Sequence, residues 1–223
     1  MAHLVSVNVG TPREAAWASI GRSSIDKSAV TGPVVVGRLG LEGDRVSNRT
    51  HHGGPDKAVY AFAQEDLDHW AGELGAEVLP GQFGENLTTS GIDVNEAEVG
   101  SRWQVGEALL EIASCRTPCQ TFRAWQDHTG YDARGWLRRF TATARPGPYL
   151  RVLGEGAVRA GDEVVVVHEP GHGVSVSMMF RALTTEPALL PRLLDVPGLV
   201  PQARAAAQDH VRAMGLVTGE LRE

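Results

Sequence analysis

The chain predicts a mostly β, α+β protein with a small helical tail, and three observations carry that reading. Short β-branched runs bounded by glycine or proline recur up to about residue 168. Helical periodicity in that part is confined to short insertions. Beyond Glu169-Pro170-Gly171-His172-Gly173 the pattern turns helical. The expected units are therefore residues 1–168 and 174–223.

Taken in order, His3–Val9 is a β-type run, and Pro12–Trp17 breaks away from it. Gly32–Leu41 is β-branched and bounded by glycines, so it predicts one or two strands. Leu41–Pro55 is a polar loop rich in arginine and histidine, and loops of that length usually have a task or are disordered. Lys57–Phe62 predicts a strand. Glu65–Leu74 puts Leu67, Trp70, Ala71 and Leu74 on one helical face, with acids in the first turn. Val78–Gly84 is a loop, followed by strands at Asn86–Thr89 and Arg102–Val105 and a turn at Gly106-Glu107. Ala108–Ala113 returns as a strand whose end carries both cysteines. Thr121–Asp127 and Arg134–Thr141 predict helices, Tyr149–Leu153 and Glu163–His168 strands. About seven short strands with inserted helices describe a barrel or a sandwich. In the tail, Val174–Leu183, Ala188–Leu194 and Pro201–Met214 predict three helices, with Pro187 and Pro201 at helix starts. Helices of this length bury little alone, so they should pack on the β unit or on another subunit, as in a homodimer.

Composition excludes several classes. With 42% hydrophobic residues and a net charge of −6, the chain reads as a soluble globular protein. It lacks the basic stripe of a nucleic-acid binder. No apolar run approaches the roughly 20 residues of a membrane span. The start, MAHLVSVNVGTPREAAW, has no basic stretch followed by an apolar one, so it does not read as a signal peptide and the expected location is cytoplasmic. There the two cysteines, Cys115 and Cys119, are expected as free thiols or metal ligands.

The most informative stretch is His51–Tyr60, HHGGPDKAVY. Adjacent Gly53 and Gly54 allow a bare backbone with positive φ. Successive N–H groups in such a turn can form an anion-binding nest. Arg45, Arg49 and Lys57 flank it, which suits a phosphate-bearing ligand; a polar turn with unrelated surface charges explains the same residues equally well. Two later stretches bear on this choice: Gly81–Thr89, GQFGENLTT, and Ser114–Phe122, SCRTPCQTF. In the latter, Pro118 and the Thr117-Pro118 step give Cys119 a defined direction, and Arg116 favours its thiolate. A buried, inert cysteine is the bland alternative. Cys115 gives a C-x3-C spacing, but a structural zinc site needs four ligands. Asn86 and Thr88 offer neutral donors and acceptors suited to a heterocycle edge, or simply satisfy a turn. His51 and His52 can serve as phosphate partners or proton donors, because imidazole titrates near neutrality.

In this order and wording, Gly43-Asp44-Arg45, HHGGPDKAVY, Trp70–Leu74, PGQFGENLTT and the Pro118-Cys119 pair resemble the YiiM-type branch of the MOSC family, the molybdenum-cofactor sulfurase C-terminal domains. The resemblance implies a β-barrel over about residues 30–168, with a three-helix appendage behind it. It implies a bound molybdenum cofactor, with Cys119 as the protein's metal ligand and Arg45, Arg49, Gly53, Gly54, Lys57, Asn86, Thr88 and Arg116 around the pterin and its phosphate. A thiolate is the soft ligand this chemistry uses. It further implies reduction of N-hydroxylated compounds, with hydroxylaminopurine-type bases as the substrate class, aided by Cys119, His51 and His52. The chain has no flavin, haem or iron–sulfur motif, so the electrons must come from an external electron-transfer protein. The family pattern asks for no thiol at position 115. The family is also linked to pyridoxal phosphate, but no lysine stands in a distinctive Schiff-base setting in the sequence. Two other functions use the same residues: a sulfur-carrier transferase with a Cys119 persulfide, and a non-catalytic cofactor carrier.

Overall fold

The computed structural model describes residues 1–48 and 52–215. Arg49 and His51, two of the expected site residues, lie outside the described residues, as does the end of the tail.

The described chain forms thirteen strands and five α-helices. Strands β1 (His3–Val9), β2 (Arg13–Glu14), β3 (Arg22–Ser23), β4 (Ser28–Ala29), β5 (Val34–Gly37), β6 (Gly40–Leu41) and β7 (Val59–Ala63) precede helix α1 (Gln64–Leu74). Then come β8 (Leu87–Ser90), β9 (Arg102–Val105), β10 (Ala108–Cys115), α2 (Gln120–His128), α3 (Trp136–Thr143), β11 (Pro148–Gly154), β12 (Gly156–Val158) and β13 (Val164–His168). Helices α4 (Val176–Thr184) and α5 (Pro201–Ala213) form the tail, on either side of a 3₁₀ stretch, Pro187–Asp195.

The main sheet has eight strands in the order β13-β9-β10-β11-β7-β8-β1-β4. Its neighbours are antiparallel except β7 and β8, which run parallel. A parallel pair needs a crossover, and α1 supplies it. The sheet curls so that β1, next to its last strand, meets the residue before β13 at an isolated bridge, His3 to Glu163, with Leu4 N donating to Asp162 O at 2.8 Å. Among the described residues no strand ladder closes there, so the fold is a mixed α/β one with a large curled sheet rather than a fully laddered barrel. A three-stranded sheet, β12-β5-β6, and the β2–β3 hairpin lie beside it.

Most expected elements appear within a residue or two, and the differences have local causes. Lys57 belongs to a 3₁₀ turn, Pro55–Lys57, because Pro55 fixes φ at its start; the strand begins at Val59. β10 reaches Cys115, but Cys119 sits four residues further on, at the cap of α2. β2, β3, β4 and β12 are two or three residues long, too short for periodicity to register. The middle tail segment is 3₁₀ and not α, because Pro191 inside it cannot donate to an α-helical ladder.

One core runs through the whole. Phe83, Phe122, Trp136 and Phe140 are fully buried and meet edge-on, Phe83 and Phe122 at 5.1 Å and Phe122 and Phe140 at 5.2 Å between centroids. Such edge-to-face pairs add about 0.5–1.5 kcal/mol beyond burial. The tail joins this core: Val176, Met179 and Phe180 of α4 are buried, and Phe180 stands 6.3 Å from Phe140.

Candidate functional site

A pocket opens between the β2–β3 hairpin region, the loop after β6, the 3₁₀ turn before β7 and the start of α2. Cys119, His52, Gly53, Lys57, Asn86 and Arg116 all line it, so six of the expected residues converge from three chain segments. Arg45 is exposed and lines a neighbouring shallow depression that shares Arg22, Val46 and Asn48 with the pocket. Thr88 lies behind the wall, fully buried, donating to Glu85 at 3.0 Å and accepting from Asn8 Nδ2 at 3.1 Å. Gly54 is exposed beside the pocket rather than lining it, with φ of 84°.

The backbone geometry explains why the motifs are glycine-rich. Gly81 and Gly84 bring their turn against the segment after β3. A Cβ on Gly81 would stand 2.5 Å from the Lys27 carbonyl oxygen, and one on Gly84 would stand 2.9 Å from Ile25 Cγ1. Glu85, fully buried, holds that turn by accepting from the backbone N–H groups of Gly81 and Phe83. Burial pushes its carboxyl up, against those hydrogen bonds. Asn86 is also committed: its Oδ1 accepts from Tyr60 N at 3.2 Å, and its Nδ2 donates to Asp44 Oδ2 at 3.0 Å.

Cys119 has extended backbone, φ −139° and ψ 162°, and is the N-cap of α2, but its side chain makes no capping bond. The thiol thus lines the pocket, half-buried, at the positive end of a helix. Cys115 is buried, and burial pushes its thiol up to about 12. The two thiols therefore occupy opposite environments. Among the described residues no cluster of three His, Cys, Asp or Glu side chains could hold a metal ion unaided.

Arg116 is buried between two rings, its guanidinium carbon 3.9 Å from the Phe122 centroid and 5.0 Å from that of Tyr60. Nη1 donates to Phe83 O, whereas Nε has no hydrogen-bond partner among the described residues. Burial pulls its pKa down, but Tyr60, Tyr149 and Cys119 nearby more than offset this, so Arg116 stays charged. Lys57 Nζ lies over the Tyr149 ring at 5.7 Å.

Sequence reasoning missed one cation. Lys27 lines the pocket and forms an ion pair with Asp44, the two side chains being only 9% and 8% exposed. Asp44 also accepts from Gly10 N at 2.7 Å. Burial lowers the pKa of Lys27, with Asp44 opposing. The signal available was scarcity: the chain has only two lysines, Lys27 and Lys57, and both line this pocket. Lys27 is thus a buried, ion-paired amine.

Taken together, the pocket offers one thiol, four cations (Arg22, Lys27, Lys57 and Arg116) and a single carboxylate paired with Lys27. Comparison with known proteins places this arrangement. The model of the MOSC domain matches residues 48–165, which contain Cys119, Arg116, Lys57, His52 and Asn86. The chain belongs to the MOSC domain family. Protein YiiM of Escherichia coli strain K12 is 36% identical over 158 residues, 69% of this chain and 68% of that protein. A Gibberella moniliformis protein named "Reductase" is 26% identical over 201 residues, 87% of this chain but 35% of that longer protein. The crystal structure of YiiM from Geobacillus stearothermophilus superposes with a TM-score of 0.77 at 26% identity, over 95% of this chain and 100% of that one. The MOSC family is associated with the molybdenum cofactor. Lys27, Asp44 and Arg22 lie ahead of the matched residues, in the segment that roofs the pocket.

That roof is pinned in place. Trp17, in the loop of the β2–β3 hairpin, stacks on His128 at 5.3 Å and lies 5.6 Å from Trp125, both on α2. Ser24 Oγ accepts from Ser47 N at 3.0 Å, tying the hairpin to the basic loop. Among the described residues no helix is long and apolar enough to cross a membrane.

Proposed function

We propose that this protein is a molybdenum-cofactor-dependent oxidoreductase that reduces N-hydroxylated compounds, hydroxylaminopurine-type bases among them, using electrons from an external electron-transfer protein. The observation that supports it most is the placing of the half-buried Cys119 thiol in one pocket with Lys27, Lys57 and Arg116. The residues fit the group. A buried guanidinium with an unpartnered Nε asks for an acceptor, and a net cationic lining suits a ligand bearing a phosphate. The fungal relative named "Reductase" points to the same class of reaction.

In this reading Cys119 would supply the soft sulfur ligand that holds the metal, with α2's N-terminus and Arg116 beside it. Arg116 and Lys57, with Arg49, balance the ligand's phosphate, and Asn86 is held rigid by Tyr60 and Asp44 so that the wall does not yield. The bound cofactor supplies two-electron chemistry at its metal. Ile20, in the β2–β3 hairpin, and Ile25, just after it, give the pocket an apolar edge. The test is metal analysis with pterin fluorescence on freshly purified protein, followed by reduction of an N-hydroxylated base with an artificial donor. Molybdenum and pterin in equal amount, with amine formation, are expected; folded protein that takes up neither overturns the reading.

A further inference from the structure

We infer that Lys27 hands a proton to the departing hydroxyl oxygen of the N-hydroxylated substrate, an inference that rests on the reductase reading above. The reduction converts R–NH–OH, two electrons and two protons into R–NH2 and water. The N–O bond breaks, and the two electrons come from the electron-transfer protein by way of the cofactor. The oxygen must gain a proton as it leaves, because hydroxide is a poor leaving group.

The other pocket groups are committed elsewhere. Asp44 accepts three hydrogen bonds, from Gly10 N, Asn86 Nδ2 and Lys27, so both its oxygens are already engaged as acceptors. The Tyr60 hydroxyl donates to Pro146 O at 2.8 Å, and burial raises its pKa further from neutrality. Burial likewise raises Tyr149. Arg116 is held charged, and Cys119 is the ligand in this reading. His52 and Lys57 line the pocket but are engaged with neighbours of their own.

Lys27 differs from all of these. Its ammonium carries three protons and makes a single hydrogen bond, to Asp44, among the described residues. Asp44 fixes its position, and Asp44 is in turn fixed from β8 and from the end of β1. The charged groups that bear on it are Asp44 and Glu85, which favour the ammonium, and Arg116, which disfavours it; burial outweighs them all and makes the proton easier to release. Lys27 gives one proton to the oxygen, which leaves as water. The nitrogen takes the second from solvent, and Lys27 is recharged from solvent before the next turnover.

Two readouts test this. The first needs no turnover: competitive acylation of the native protein by acetic anhydride across pH, read by mass spectrometry, with Lys57 as the internal reference. Because the chain has two lysines, the assignment is unambiguous. Lys27 should show an inflection well below the ordinary lysine value of about 10.4. An inflection at or above that value, or no modification at any pH, overturns the inference. The second compares variants at matched pterin content. Lys27→Met should lower kcat by about 10²–10⁴-fold, the usual range for a lost proton donor. Lys27→Arg keeps the positive charge but releases no proton near neutrality. It should therefore bind the cofactor and remain slow, without the fall in kcat that wild type shows as pH rises. Full turnover by Lys27→Arg would mean that only the charge matters, and the inference would fall while the reductase reading stood. Wild-type protein without pterin or turnover would defeat the reductase reading itself, whatever the acylation profile.

Discussion

The guanidinium of Arg116 lies 3.9 Å from the centroid of the Phe122 ring, and its Nη1 donates to the Phe83 carbonyl. One side chain thus joins the aromatic core to the pocket floor. Arg116→Lys keeps the charge but loses the planar stacking and the fork geometry. The substitution should cost about 1–3 kcal/mol in chemical denaturation, because the Phe83 carbonyl is left buried without its donor. Pterin occupancy should fall with it. Unchanged stability and occupancy would show that Arg116 is merely tolerated there.

Lys57 stands at the side of the pocket, over Tyr149, and contributes little to the core. Lys57→Ala should therefore lower cofactor occupancy while moving the melting temperature by no more than a few degrees. Arg45→Ala should have the smaller effect on occupancy, since Arg45 lines the outer depression. Differential scanning calorimetry alongside pterin content separates binding from folding. A collapse in melting temperature with normal occupancy per folded molecule would assign Lys57 to the scaffold.

The thiols should react apart. Burial holds Cys115 as the thiol until the pH nears about 12, so its thiolate fraction at pH 8 is very small. A maleimide reagent at pH 8 should modify one cysteine per native chain, Cys119, and a second only after unfolding. Raising the pH of the native protein should recruit Cys115 only as that value is approached. Two rapid modifications at pH 8 would contradict the burial argument.

The tail should not be separable. Phe180 is fully buried against Phe140, and Met179 beside it is also buried. Phe180→Ala should cost about 3–5 kcal/mol. Truncation after Gly173 should expose that surface and give aggregation or a much lower melting temperature. A monodisperse truncation melting like the full chain would show that α4 adds nothing to the core.

Much of this was legible in the residues. The β-type run of His3–Val9, the amphipathic face of Glu65–Leu74 and the turn at Gly106 each follow from local chemistry, and the structure contains them. The motifs HHGGPDK, GQFGEN and TPC named the pocket wall because each carries a glycine or proline whose geometry is needed there. Lys27 was not legible, since its role comes from an ion pair with a residue 17 positions away and from a Gly81 turn that packs on its carbonyl. Thr88 has the right chemistry for a ligand contact, but strand alternation turns it towards Glu85, behind the wall. The tail's attachment was open for the same reason: periodicity shows that a face is apolar and is silent on what covers it.

The central claim is that Cys119, and not Cys115, is the protein's ligand to a reducing metal centre. The most direct measurement is reductive turnover of an N-hydroxylated base by Cys119→Ser and Cys115→Ser at matched cofactor loading, with an artificial electron donor. Serine oxygen is a harder ligand than the thiolate, so Cys119→Ser should lose turnover while Cys115→Ser stays within a few-fold of wild type. Equal loss in both would contradict the separation of the two thiols, and a fully active Cys119→Ser enzyme would refute the metal-ligand assignment.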